Sequence, residues 1–235
     1  MKGKIIVFEG IDGSGKSTQT KMLLEYLKAK GYSVEKIDFP RHGEPSAVFV
    51  DNYLLGKYGT AIEVGALRAS IFYACDRYDA GFKIKEWVNQ GKIVIIDRYI
   101  TSNIGHQGGK IKNKQKRSEF FEWAMDLEFG LFGIPKPDIT ILLKTNPEIS
   151  DKLAGTSTDK EKQKRVSSYL GKEKKDIHEK DKQHLKDALN SYLQFAKEYP
   201  KYMKVIDCVE KSQMLNKEII HQKIITLIEK TLNKK

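Results

Sequence analysis

The sequence predicts an α/β fold of three layers, a five-stranded parallel sheet with helices on both faces. Three observations predict it. Short β-branched runs alternate with helical stretches along the chain, and such alternation gives parallel strands joined by crossover helices. The runs are continuously apolar, as strands buried on both faces are. Glycines and charged residues cluster directly after the runs, where ligands bind in such sheets, beyond the carboxyl ends of the strands.

Taken in order, the predicted strands are Lys4–Glu9, 33–39, Ile93–Asp97, Ile139–Lys144 and Met203–Asp207. Helical patterns cover 18–30, 60–90, 118–129, 179–198 and 213–232. Only 155–175 lacks apolar periodicity. It is rich in Lys, Ser and Thr and reads as a short mobile lid. With no internal repeat or linker, the 235 residues form a single domain over 1–235, long enough to bury a sizeable core.

The first loop reads Gly10-Ile11-Asp12-Gly13-Ser14-Gly15-Lys16-Ser17-Thr18, a full G-x-x-x-x-G-K-[ST] pattern. The apolar run Ile5-Ile6-Val7-Phe8 precedes it and a helix-forming stretch follows. Loop amides and a helix N-terminus together hold an anion. Gly10, Asp12, Gly13, Ser14, Gly15, Lys16, Ser17 and Thr18 are therefore the candidate ATP-binding set. Lys16 reaches the β- and γ-phosphates, and the Ser17 hydroxyl helps to hold Mg2+. The fold class is thus a three-layer P-loop NTPase fold with a lid.

Composition bounds the rest. No apolar stretch approaches membrane-spanning length, and the first strand begins too early to leave room for a signal peptide. Cys75 and Cys208 fit no metal spacing and read as reduced thiols; the expected location is the cytoplasm. The net charge of +11 admits nucleic-acid binding. Yet the basic residues are scattered, with clumps at 110–117 and 160–175 and no interleaved aromatics. Steering of nucleotides is enough to use the charge, so neither nucleic acid nor membrane is expected as a partner.

A second motif narrows the chemistry. The run Ile93-Val94-Ile95-Ile96 ends in Asp97-Arg98-Tyr99. A carboxylate there orients Mg2+ or its water shell, and an adjacent arginine clamps phosphate oxygens. Here the sequence resembles the thymidylate kinases, nucleoside monophosphate kinases that phosphorylate dTMP. The resemblance rests on Phe8-Glu9-Gly10-x-Asp12 leading into the glycine loop, then Phe39-Pro40-Arg41. Tyr73-Ala74-Cys75-Asp76-Arg77 follows, then Asp97-Arg98-Tyr99 with Ser102-Asn103, and finally Lys175-Asp176-Ile177-His178-Glu179. These segments run from residue 4 to about 210 in family order and at family spacing.

The resemblance implies roles. Asp12 contacts the acceptor sugar or its metal-bound phosphate. Arg41 and Arg98 hold the acceptor phosphate, Arg77 reads the thymine edge, and Asn103 hydrogen-bonds thymine with help from Gln107. Tyr73 stands where the family usually stacks a phenylalanine on the base, and a tyrosine keeps the ring face. Ser17, Asp97 and Glu179 serve Mg2+, directly or through water. The family also implies a homodimer packed through long helices, with the 60–90 helix as candidate.

The chain departs from the family at His42, His106 and His178, which stand where many relatives carry an aromatic near the acceptor. Imidazole is smaller than phenol and both donates and accepts, so acceptance of other sugars or of dUMP stays open. Three histidines near one phosphate also suggest pH sensitivity between about 5 and 8. The glycine loop holds no arginine; the catalytic set is then Lys16, Asp12, Arg98 and Arg165, the only arginine of the lid. The implied reaction is γ-phosphoryl transfer from ATP to dTMP. Alternatives are a kinase for another small monophosphate such as dUMP, an NTPase switch, or a basic nucleic-acid module.

Overall fold

The computed structural model describes residues 3–150 and 182–232. Strands β1 (Lys4–Glu9), β2 (Val34–Asp38), β3 (Ile93–Asp97), β4 (Ile139–Lys144) and β5 (Met203–Asp207) form one sheet in the order β2-β3-β1-β4-β5. Every pairing is parallel. The expected strands all form; only the second is shorter than its pattern.

Around the sheet lie α1 (Lys16–Ala29), α2 (Val48–Leu54), α3 (Ala61–Asn89), α4 (Ile100–Ser102), α5 (Lys114–Met125), α6 (Lys182–Glu198) and α7 (Lys217–Leu232). Helix α4 runs on into a π-helical turn at Asn103–Gln107 and a 3-10 turn at Gly108–Lys110. The pattern at 213–232 starts too early. Gln213 and Met214 are strand β7, paired antiparallel with β6 (Val209–Glu210), and the helix begins at Lys217. Lys211 and Ser212 both take positive φ there, a tight reversal that a helical period does not reveal.

The two-sided burial of the strands follows their alternation. Ile6, Phe8, Ile93, Ile95, Ile141 and Leu143 pack with Leu23 and Leu27 of α1 and Ile220, Ile224 and Ile228 of α7. Ile5, Val7, Val94 and Ile96 face the other way, against Ala80 and Ile84 of α3. Leu142 and Met203 meet Phe120 and Phe121 of α5 and Tyr192 and Phe195 of α6 on a further cluster. Each such aliphatic side chain, fully buried, contributes about 1.5–3 kcal/mol, so the sheet is a rigid base for the loops at its carboxyl edge.

Helix α3 starts on a capping box. The Thr60 hydroxyl accepts from the Glu63 amide, and the Glu63 carboxylate accepts from the Thr60 amide at 2.7 Å. Gly65, at φ 74, bends its first turn. Helix α2, which sequence periodicity missed, packs Val50, Tyr53 and Leu54 onto Val64 and Ala69 of α3. On the opposite side α6 presses against the turns after α4. A Cβ on Gly109 would stand 2.8 Å from the Ala188 amide nitrogen, so only glycine admits that approach.

Glu9, at the end of β1, ties these pieces to the sheet. Its buried carboxylate accepts from the Tyr99 amide, the Thr101 and Ser102 hydroxyls and, at 2.9 Å, the Tyr192 hydroxyl of α6. The end of β3, the start of α4 and the middle of α6 are thereby fixed beside the glycine loop.

Candidate active site

The glycine loop joins β1 to α1 as its pattern requires. Gly10 has φ 147, and a Cβ on it would lie 2.5 Å from the Ser14 Oγ. Gly15 caps α1 in the left-handed conformation, and Lys16, Ser17 and Thr18 form its first turn. Lys16 is largely buried and donates to the carbonyls of Gly10 and Ile11 at 2.9 and 3.0 Å. Its ammonium bridges the loop from within, at the mouth of a helix N-terminus. The Ser14 hydroxyl, also buried, has no hydrogen-bond partner among the described residues.

Across the loop stands Arg98. Its φ of 69 is rare for a residue with a Cβ, and its amide donates to the Phe8 carbonyl at 2.9 Å. The turn sends the guanidinium back over the loop. Nη2 donates to the Asp12 carboxylate at 2.7 Å, and Nη1 to the Gly10 carbonyl at 3.3 Å and His106 Nε2 at 3.0 Å. Burial works against its charge, but Asp12, Tyr192, Asp97 and Glu9 outweigh burial and raise its pKa above the ordinary value.

An arginine only donates, so His106 Nε2 must accept, and the proton of that ring sits on Nδ1. Nδ1 meets His184 Nε2 at 3.3 Å, with the two rings stacked at 5.5 Å. Burial first, then the Arg98 charge, holds His106 well below its ordinary pKa. Both influences favour the neutral ring.

The residues expected on the acceptor side lie on α3 and the turn after α4. Ser70, Tyr73 and Arg77 share one face of α3, three and four residues apart. Arg77 is 1% exposed and is gripped side-on by Glu128, Nε to Oε2 at 2.6 Å and Nη2 to Oε1 at 2.7 Å. Asn103 Nδ2 donates to the Ser70 carbonyl at 3.1 Å and to Glu128 Oε1 at 3.2 Å. The Oε1 of Gln107 and the Oγ of Ser70 are buried without a partner among the described residues. Tyr73 meets Tyr53 of α2 edge-on, ring centroids 6.3 Å apart.

Arg41 sits against the middle of the same helix. Its amide and Nε donate to Asp76, and its Nη2 to Asp79 at 2.6 Å and to the Ser46 hydroxyl at 2.6 Å. His42 pairs through Nδ1 with Asp51 of α2. His42 is thus tied to α2, while His106 belongs to the Arg98 cluster. Arg165, His178 and Glu179 lie outside the described residues.

For a metal, the donors at hand are the Ser17 hydroxyl and the Asp97 carboxylate, an all-oxygen set that suits a hard divalent cation. Burial pushes the Asp97 carboxyl above its ordinary pKa, with Lys16 pulling the other way. A cation beside it would hold it ionised, so these residues fit the group.

Three side chains that matter here are not apparent from the motifs. Glu128 and His184 sit on the apolar faces of their helices, in line with Phe120, Phe121 and Ala124, and with Ala188 and Tyr192. That placement is the one signal the sequence carries for them. Asp76 lies inside a recognised motif, but its hold on Arg41 does not follow from spacing. The basic clump at 110–117 is also partly internal. Lys110 bonds the Tyr53 hydroxyl, and burial brings its pKa down to about 8. Arg117 holds the Gly108 and Ile111 carbonyls.

A glycine loop of the G-x-x-x-x-G-K-[ST] pattern between strand and helix, a neighbouring strand ended by a carboxylate and a cluster of buried polar side chains between α3 and the turn after α4 define a P-loop enzyme. The family model described as thymidylate kinase matches residues 8–219. The thymidylate kinase of Thermoanaerobacter sp. (strain X514) is 32% identical over 94% of this chain and 97% of its own length. A probable thymidylate kinase of Thermococcus kodakarensis is 32% identical over 97% and 98%. The human thymidylate kinase is 30% identical over 61% of each chain. A solved structure of thymidylate kinase from Candida albicans superposes with a TM-score of 0.71, at 23% identity, over 100% of this chain and 94% of that one; this likeness bears on the fold. The chain belongs to the thymidylate kinase family.

Proposed function

We propose a division of labour for the reaction that family membership gives, ATP-dependent phosphorylation of dTMP to dTDP. The observation that carries it is the Asp12–Arg98 pair, which joins the glycine loop to the strand facing the acceptor pocket. The donor phosphates lie in the loop 10–18, where the amides, the Ser14 hydroxyl and Lys16 receive them. The acceptor phosphate lies between Arg98 and Arg41, and the base lies on Tyr73 against Arg77, Asn103 and Gln107.

The nucleophile is an oxygen of dTMP's own phosphate, already ionised near neutral pH, so no strong general base is required. Catalysis is positioning plus neutralisation of charge on the transferring group. Asp12 and the His106 acceptor hold the Arg98 fork in one orientation before substrate arrives. Lys16 exchanges its two loop carbonyls for phosphate oxygens. Mg2+, held by Ser17 and Asp97 with Glu179, supplies further charge neutralisation when bound. Arg165 supplies the arginine that the loop lacks. His42, His106 and His178 near the acceptor leave room for sugars other than deoxyribose.

The protein works as a homodimer in the cytoplasm. Helix α3 exposes Ile62, Leu67, Ile71, Tyr78 and Phe82, more apolar surface than a solvated helix face carries. Sedimentation velocity reads that state; a monomer at micromolar concentration contradicts it. No helix among the described residues is long and apolar enough to cross a membrane. The reaction is tested by product analysis. ATP and dTMP should yield ADP and dTDP in equal amounts, and ADP release that ignores dTMP would favour an NTPase switch instead.

A further inference from the structure

The acceptor pocket holds an acid that the proposed reaction does not use. Glu128 is wholly buried. It reaches Arg77 and Asn103 at once, with Oε1 shared between Arg77 Nη2 and Asn103 Nδ2. The two residues expected to read the base are therefore neighbours across one carboxylate oxygen.

That arrangement fixes which atoms are left to read the base. A side-on grip on Nε and Nη2 leaves the Nη1 amino group of Arg77 unengaged, with no described acceptor. Asn103 Nδ2 lies between two acceptors, a carboxylate and the Ser70 carbonyl, neither of which can donate. The amide of Asn103 can then stand only one way round, and its Oδ1 takes no hydrogen bond from any described group. The pocket presents a fixed donor, Arg77 Nη1, and a fixed acceptor, Asn103 Oδ1.

We propose that Glu128 is the positioning residue for base specificity: by locking Arg77 as donor and Asn103 as acceptor it selects an imide edge, a carbonyl beside an N–H. Thymine and uracil carry that edge at O4 and N3–H. Cytosine carries the reverse, an amino group beside a bare ring nitrogen, and would set donor against donor and acceptor against acceptor. A site built to hydrogen-bond one edge rejects its mismatch strongly, because buried polar groups are left unpaired. The carboxylate is the part that cannot be replaced by its amide. Whichever way round it stood, the amide would set its NH2 against one of the two guanidinium N–H groups, so the grip that aims Arg77 would be lost while the Ser70 carbonyl still held Asn103 Nδ2.

This inference rests on the dTMP-kinase reading above. The test is kcat/KM for dTMP and for dCMP, with KM for ATP, in the wild type, Glu128→Gln and Glu128→Asp. The wild type should prefer dTMP strongly. Glu128→Gln should raise KM for dTMP by about tenfold or more and lower the dTMP-to-dCMP ratio by about tenfold or more, with KM for ATP unmoved. Glu128→Asp keeps the charge but not the reach to both partners. It should keep more of the ratio than Glu128→Gln, and it carries the test if Glu128→Gln does not fold, by a ratio still below wild type. An unchanged ratio in the folded variants, or parallel losses for dTMP, dCMP and ATP, would show a structural salt bridge only and overturn the inference. Absence of dTMP turnover in the wild type would overturn the functional reading itself, and this inference with it.

Discussion

Arg98 and Asp12 are joined at 2.7 Å across the gap between the end of β3 and the glycine loop. Arg98 enters that pair from a left-handed backbone, anchored by its amide on the Phe8 carbonyl. Such a conformation costs of order 1–3 kcal/mol and persists where its surroundings over-determine it. The surroundings here are Asp12, the Gly10 carbonyl and His106, all converging on one guanidinium. A charge fixed before the substrate arrives needs no reorganisation during transfer.

The donor side gives the simplest prediction. Lys16→Ala should leave the fold intact and lower kcat by a hundredfold or more, since electrostatic groups of this kind contribute roughly 3–4 kcal/mol. Circular dichroism checks the fold and steady-state kinetics the rate. Near-normal turnover in the folded variant would remove the loop from the chemistry.

The acceptor side needs two variants read differently. Asn103→Ala should weaken dTMP binding by about tenfold, the loss of a buried hydrogen bond of roughly 1–3 kcal/mol, and leave ATP binding unchanged. Arg77→Ala is a different experiment, because it strands the Glu128 carboxylate in the core. Breaking a buried ion pair from one side costs about 3–5 kcal/mol, so that variant should lose thermal stability before it reports on dTMP. Separate titrations with dTMP and ATP, beside thermal melts, tell the two effects apart. Equal loss of both ligands in Asn103→Ala would contradict the assignment.

Much of this architecture is legible in the sequence. Ile93–Asp97 reads as a strand because both its faces meet apolar layers, and Lys16 is placed by a motif whose geometry depends on its own loop alone. What escapes depends on distant partners. Glu128 and His184 find Arg77 and His106 across 51 and 78 residues, and no local period encodes that. The helix pattern at 213 fails for the opposite reason, a short local reversal at Lys211 and Ser212 hidden inside a polar stretch.

Stability should depend on pH through His106. Burial and Arg98 depress its native pKa, with His184, Asp12 and Lys16 also acting on it. The unfolded chain binds a proton below about 6.5, where the native ring does not. Stability is therefore full above that value and falls as pH drops toward the depressed native pKa, by at most about 1.4 kcal/mol per pH unit for one proton. His106→Gln keeps an acceptor for Arg98 and removes the titration. Denaturant melts from pH 7 to 5 should show a shallower decline in that variant; parallel slopes would show that other groups carry the dependence.

The role proposed for Arg165 is a kinetic question. Arg165→Ala should lower kcat by about a hundredfold or more with little change in KM, by analogy with arginines supplied to other phosphoryl transfers. Arg165→Lys should restore only part, for want of the planar fork. A wild-type kcat in Arg165→Ala would pass the role to a neighbouring lysine.

The central claim is that this glycine loop serves an acceptor pocket shaped for dTMP, and a panel of nucleoside monophosphates tests it most directly. Coupled ADP release should be measured with dTMP, dUMP, the ribose form of thymidylate, dCMP and dAMP at equal concentration. The account predicts the highest kcat/KM for dTMP, measurable turnover of dUMP, and little with dCMP or dAMP. Equal rates across the panel, or a purine monophosphate turned over best, would contradict it.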